Sequence, residues 1–141
     1  MTHRWKAIFA AVALFTLPIE AEANSTCGGN CPGGCTSCPC GTSPSFQSIS
    51  AWCAKFTGWS QACCQCILKA ESGGNANAVN QNLGGSQDVG LWQINTTTWK
   101  VCSGGAPPCN PSANLQCAIT VWQQGRNSFK LWSTCGKCGC C

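Results

Sequence analysis

The stretch ESGGNANAVNQNLGGSQDVGLWQIN, Glu71 to Asn95, decides how the chain reads, because it carries a carboxylate near each end and almost no other charge. Upstream of it, Trp59, Ala62 or Cys63, Cys66, Ile67 and Ala70 recur at helical spacing. Gly73-Gly74 then stops that helix and leaves Glu71 in its last turn. Downstream, Asn77 to Asn82, the turn residues Leu83-Gly84-Gly85-Ser86, and Gln87 to Leu91 predict a short hairpin with Asp88 on the returning arm. The two acids therefore sit in unlike settings. Glu71 meets the negative end of a helix dipole beside an apolar face, and both effects raise the pKa of a carboxyl group. Asp88 lies among Asn80, Asn82, Ser86, Gln87 and Gln93, whose amides and hydroxyl can donate to an ionised carboxylate. Two carboxyl groups with divided roles suit glycosidic bond cleavage: one gives a proton to the leaving oxygen, the other supports the positive centre.

Scarcity sharpens the reading. The chain has 141 residues with only four acids, and two of these, Glu20 and Glu22, fall in a predicted secretion signal over residues 1–23. That signal comprises Arg4 and Lys6, an apolar run from Ala7 to Leu17, and a small-residue cleavage site at Ala21-Glu22-Ala23. The run is too short to span a bilayer, which disfavours a retained membrane anchor. His3, the sole histidine, goes with the signal, so Ser-His-Asp and Cys-His catalysis and histidine-bearing metal sites are excluded. Glu71 and Asp88 remain as the only acids, against a basic surface that favours anionic partners such as bacterial envelopes.

All 16 cysteines follow the signal. An even number in an exported chain implies up to eight disulfides, against zinc knuckles or redox pairs at Cys35/Cys38, Cys63/Cys66 and Cys135/Cys138. Residues 24–45 are mostly Cys, Gly, Pro, Ser and Thr, open with the sequon Asn24-Ser25-Thr26, and read as a stapled appendage to a domain over 46–141. Five cysteines in that appendage require at least one bridge to leave it if every thiol is oxidised, and the cluster Cys135, Cys138, Cys140 and Cys141 is the expected destination. Ile49, Trp52, Cys53 and Phe56 predict a first helix. Pro111 and Ser112 open another, with Leu115, Ala118, Ile119 and Trp122 on one face and Gly125 at its end. A last short helix is expected around Asn127 to Trp132. Trp92 and Trp132 read as core residues.

The run Glu71-Ser72-Gly73-Gly74-Asn75 through Asp88-Val89-Gly90-Leu91-Trp92-Gln93-Ile94-Asn95 resembles the catalytic core of animal c-type lysozymes, with the Glu-to-Asp interval ungapped. Cys66, Trp99, Asn114-Leu115-Gln116-Cys117-Ala118 and Asn127-Ser128-Phe129-Lys130-Leu131-Trp132 extend the likeness over roughly Phe46 to Cys135. The resemblance implies an α+β, disulfide-rich, lysozyme-like helical domain with a small β-hairpin. It implies Glu71 as proton donor, Asp88 as nucleophile or stabiliser and Asn82 as a support for Asp88. Gln93, Asn95 and Trp99 would belong to the sugar cleft, and Phe129 would be the aromatic over the acid where the family carries tryptophan. Val89 departs from the family's tyrosine, and the first two helices are closer together than in animal lysozymes. The implied substrate is bacterial peptidoglycan, cut at the β-1,4 bond between N-acetylmuramic acid and N-acetylglucosamine by a secreted monomer (extracellular, or in a lysosomal or phagosomal lumen). No cofactor, metal, nucleic acid or stable membrane association is expected. Two rivals stay open: a lytic transglycosylase using Glu71 alone, to which Glu-Ser-Gly-Gly-Asn and Gly-Leu-x-Gln are also similar, and a non-catalytic sugar-binding or antimicrobial cysteine-rich protein.

Overall fold

The structure, a computed structural model, describes residues 27–141. The expected signal segment and the Asn24 sequon lie outside the described residues. Four α-helices and a three-stranded antiparallel sheet of order β1-β2-β3 are found among them.

Helix α1, Ile49–Cys53, is started by Ser48, whose Oγ accepts from the Ala51 amide at 3.2 Å. It ends after little more than one turn, and the Trp59 indole Nε1 donates to the Cys53 carbonyl at 3.0 Å, satisfying an acceptor that the helix leaves open. Helix α2, Gln61–Glu71, starts on the Ser60 hydroxyl and stops where Gly73 and Gly74 take φ of 63° and 88°. Glu71 is its final residue, as the sequence indicates. Its buried face is Cys64, Ile67 and Leu68, displaced from the expected stripe: Ala62 is exposed, and Trp59 precedes the helix. Cys63 and Cys66 lie to one side because they bridge to Cys140 and Cys138, so apolar periodicity misreads cysteines that are tied to the tail.

Strands β1 (Val79–Gln81) and β2 (Gln87–Val89) form the expected hairpin, pairing Val79 with Val89, Asn80 with Asp88 and Gln81 with Gln87. A third strand, β3 (Ile94–Asn95), pairs Asp88 with Asn95. Alternation along β2 buries Gln87 and Val89 and turns Asp88 to the opposite face, where Asn80 and Asn95 are its direct cross-strand neighbours. Helix α3, Thr96–Cys102, has no counterpart in the sequence reading. Its three threonines are poor helix formers, but Asn95 caps it, buried Trp99 anchors it and the Cys102–Cys117 disulfide ties it to the next helix. Helix α4, Pro111–Gln124, follows the expected bounds, with Asn110 Oδ1 accepting from the Ser112 and Ala113 amides.

Residues 127–132 form turns instead of the expected helix, because Arg126 and Asn127 both take φ of 57° and reverse the chain. Phe129 and Trp132 still point inward and join Phe56, Trp59, Trp92 and Trp122 in one aromatic cluster.

Eight disulfides use every cysteine. The zinc-knuckle and redox readings therefore fall. The N-terminal segment is no appendage either: Cys27, Cys31, Cys35 and Cys40 are buried in the common core. Its outgoing bridge is Cys40–Cys109, not a link to the tail, whose Cys135 pairs with Cys141. The segment covers the edge strand β1. Gly28 and Gly33 run so close that an added Cβ would lie 1.8 Å from the Asn77 carbonyl oxygen and 2.0 Å from that of Gln81. The Thr36 amide and hydroxyl donate to Gln81 Oε1, and Gln87 Nε2 donates to the Ser37 carbonyl. A sheet edge that would otherwise be open to solvent is thereby closed.

Candidate active site

Glu71 and Asp88 reach the same cleft from two elements, the C-terminus of α2 and the middle strand of the sheet. Glu71 is half-buried. Thr134 Oγ1 donates to its Oε1 at 2.8 Å, and Trp132, Leu131 and Ser133 line the cleft beside it. Burial pushes the Glu71 carboxyl above the ordinary glutamate value, the Thr134 hydrogen bond pulls the other way, and the nearby Asp88 charge raises it further. The direction expected from the sequence holds, and removal of the carboxyl from water is the main reason.

Asp88 is held by amides. Asn82 Nδ2 donates to Oδ2 at 3.0 Å and Asn95 Nδ2 to Oδ1 at 2.8 Å. Behind them, Asn80 Nδ2 donates to Asn82 Oδ1, and both donating amides also reach the Ser86 hydroxyl. Asn95 has a double task, since its Oδ1 caps α3 by accepting from the Thr97 amide while its Nδ2 faces the aspartate. The two bonds hold the carboxylate in a fixed place in the cleft.

The cleft has two lobes that share Glu71, Asp88, Gln93 and Ser133. One, of about 270 Å³, runs along Ile94, Asn95 and Thr98 toward Val121 and Gln124 on α4. The other, of about 470 Å³, runs along β1 past Asn80 and Asn82 to Asn30, Pro32 and Phe46. Gln93 stands between the lobes with φ of 52°, its Nε2 donating to the carbonyls of Ala78 and Gly90.

Glu71, Asp88, Asn82, Gln93 and Asn95 are thus brought together, and Trp99 is not. The Trp99 side chain is buried, its Nε1 donates to the Ile94 carbonyl at 3.0 Å, and it lines neither lobe. Thr98 reaches the cleft from that helix instead. The aromatic beside Glu71 is Trp132 in place of Phe129, which lies deeper, between Trp59 and Trp132. The turn at residues 126–127 sets this offset, and Trp132 is fixed by its Nε1 donating to the Trp92 carbonyl at 2.8 Å. Thr134 and the N-terminal wall were not signalled by the sequence: a threonine among turn residues, and a glycine-rich segment, carry no pattern that places them beside Glu71.

The family profile described as a lysozyme-like domain matches residues 48–134, well over half of the chain and inclusive of Glu71, Asp88 and Thr134. The chain belongs to the lysozyme-like domain family. Among curated members, a lysozyme C of Takifugu rubripes is 38% identical over 63 residues, 45% of this chain and 43% of its own length. The lysozyme C-1 of Anas platyrhynchos is 35% identical over 67 residues, covering 47% and 44% of the two chains. A lysozyme of Bombyx mori is 40% identical over 53 residues, covering 38% and 36%. The chain spans less than half the length of the curated lysozymes it matches. The disulfide-stapled wall of residues 27–46 lies outside the matched lysozyme-like region.

Proposed function

We propose that this protein is a secreted muramidase, a glycoside hydrolase that cleaves the β-1,4 bond between N-acetylmuramic acid and N-acetylglucosamine in peptidoglycan. The observation that carries the proposal is a half-buried, protonatable Glu71 in one cleft with an Asp88 held by two side-chain amides. Glu71 gives its proton to the glycosidic oxygen as the carbon–oxygen bond breaks. Asp88 supports the oxocarbenium-like carbon, by charge or by a covalent bond. Water then adds to that carbon and returns a proton to Glu71. Asn82 and Asn95 orient Asp88, and Gln93 and Asn95 line the groove that receives the sugars. Thr134 orients the acid, and Trp132 keeps water from it.

The setting agrees with this work. Lys55, Lys69, Lys100, Arg126, Lys130 and Lys137 are all exposed, a cationic surface suited to anionic bacterial walls. Eight disulfides suit an oxidising compartment, as does the predicted signal over residues 1–23. The protein acts as a monomer without cofactor or metal.

The test is turbidity clearing of Gram-positive cell walls across pH by wild type and Asp88→Asn. Clearing by the wild type should persist above the ordinary glutamate range and fall on an alkaline limb as Glu71 loses its proton, in line with its raised pKa. Asp88→Asn should lower the rate by about 10²-fold, as expected for removal of a group that stabilises transition-state charge, and keep an alkaline limb. An undiminished rate for Asp88→Asn would remove that residue from the mechanism, and a limb in the ordinary glutamate range would remove Glu71 as the raised-pKa acid.

A further inference from the structure

We propose that the N-terminal cysteine-rich segment is a built sugar subsite, in which Phe46, Pro32 and Asn30 form the outer wall of the larger cleft lobe and take a β-1,4-linked N-acetylhexosamine ring. The proposal rests on the glycosidase reading and names a part of the cleft that lies outside the matched lysozyme-like region.

Continuity comes first. The lobe that these residues close is lined by Glu71, Asp88 and Gln93, so a glycan threaded past the carboxylates runs onto this wall. Its chemistry is amphipathic in the way a pyranose requires. Phe46 is 71% exposed in spite of its size, a large apolar ring facing solvent at the cleft. An aromatic face takes the C–H face of a sugar, while amides at the rim take its hydroxyl and N-acetyl groups. Asn30 is exposed at that rim, and its side-chain amide makes no hydrogen bond among the described residues. No cation lines the lobe, and its charged groups are Glu71 and Asp88 alone, which favours a neutral ligand over an anionic one.

The wall is also rigid before any ligand arrives. Phe46 forms an isolated antiparallel bridge with Asn75, four residues after the acid, with the Gln47 amide donating to the Gly74 carbonyl and the Ala76 amide to that of Ser45. Asn75 is buried and clamps both sides: its Oδ1 accepts from the Ser45 amide and its Nδ2 donates to the Gly28 carbonyl at 2.7 Å. Cys27–Cys38 and Cys31–Cys35 staple the loop that carries Asn30 and Pro32, and Cys40–Cys109 fixes its far end. A wall ordered in advance adds little ordering cost on binding, so contacts made there appear as affinity. The five cysteines of the segment then have a purpose beyond stability.

The experiment is calorimetric titration of β-1,4 N-acetylglucosamine oligomers, from two to six sugars, into the full mature protein carrying Glu71→Gln to prevent turnover. Affinity should rise with length in this parent. Adding Phe46→Ala should remove the gain at the longer lengths, about three- to tenfold in Kd, and Phe46→Tyr should restore it. Leu83→Ala, which truncates a still more exposed apolar side chain on the hairpin turn that lines neither lobe, should leave the series unchanged. Phe46 is a surface ring, so unfolding temperatures of the variants should coincide. If Phe46→Ala follows the parent at every length, the subsite proposal is overturned while the glycosidase reading stands. If the parent binds no oligomer at all, the subsite proposal is overturned, and the glycosidase reading stands or falls separately on wall clearing.

Discussion

Glu71→Gln is expected to lower wall clearing by at least about 10²-fold, the usual contribution of a positioned general acid. The substitution keeps shape and leaves an amide oxygen to accept from Thr134 Oγ1, which donates at 2.8 Å in the wild type, so lost activity reports the lost proton. Rescue by a neighbouring acid is closed, because Asp88 is the only other carboxylate side chain among the described residues and is committed to Asn82 and Asn95. The same change should act oppositely on stability. A carboxyl whose pKa is raised by folding contributes stability that is full below the ordinary glutamate value and is lost as pH rises through the raised one. Above its raised pKa the wild type therefore holds an ionised, half-buried carboxylate at a cost that the amide avoids. Thermal unfolding across pH should show Glu71→Gln the more stable on the alkaline side of the wild-type activity limb, with the gap closing as pH falls. Wild-type clearing by this variant would contradict the assignment. A difference in unfolding temperature that does not change with pH would contradict the burial argument.

Asn114→Ala should destabilise the fold by about 3–5 kcal/mol, because one fully buried amide joins three separate pieces of backbone. Asn114 Nδ2 donates to the Val89 carbonyl at 2.9 Å and the Pro108 carbonyl at 2.7 Å, and its Oδ1 accepts from the Trp92 amide at 2.8 Å. Alanine removes all three bonds where water does not reach and leaves a cavity in their place. The packing allows little relief. Gly90, at φ of 79°, passes so close that a Cβ there would lie 2.1 Å from Asn114 Nδ2. This clamp joins the end of β2, and hence Asp88, to α4. Urea unfolding with disulfides intact should show a lower midpoint at an unchanged slope. A loss under about 1 kcal/mol would mean that the amide is dispensable.

What the sequence made legible follows from local rules. Glycines at 73 and 74 end α2 at Glu71, and the turn residues at 83–86 put Asp88 on a returning strand beside amides. Those rules need only neighbours in the chain. Disulfide partners obey no such rule, because five, six or more cysteines allow many pairings, and Cys40 meets Cys109 across a separation of 69 residues. Helix α3 is not legible in the sequence because its threonines argue against a helix, and a side-chain cap, a buried tryptophan and a disulfide outweigh them. The aromatic beside the acid is Trp132 and not Phe129, because two left-handed residues at 126 and 127 turn the chain where a helical reading continues it. The family likeness puts Trp99 in the cleft, but its burial, with Nε1 donating to the Ile94 carbonyl, takes it out of that role. The cysteine-rich wall is not legible for a simpler reason: its closest approach is backbone on backbone, with Gly28 and Gly33 against Asn77 and Gln81.

Hydrolysis of the glycan strand by Glu71 and Asp88 together is best distinguished from other cleavage by mass spectrometry of the fragments released from purified peptidoglycan in ¹⁸O-labelled water. Hydrolysis gives fragments ending in reducing N-acetylmuramic acid that carries one labelled oxygen at its anomeric carbon. Unlabelled 1,6-anhydro ends, or no release of fragments at all, would contradict it.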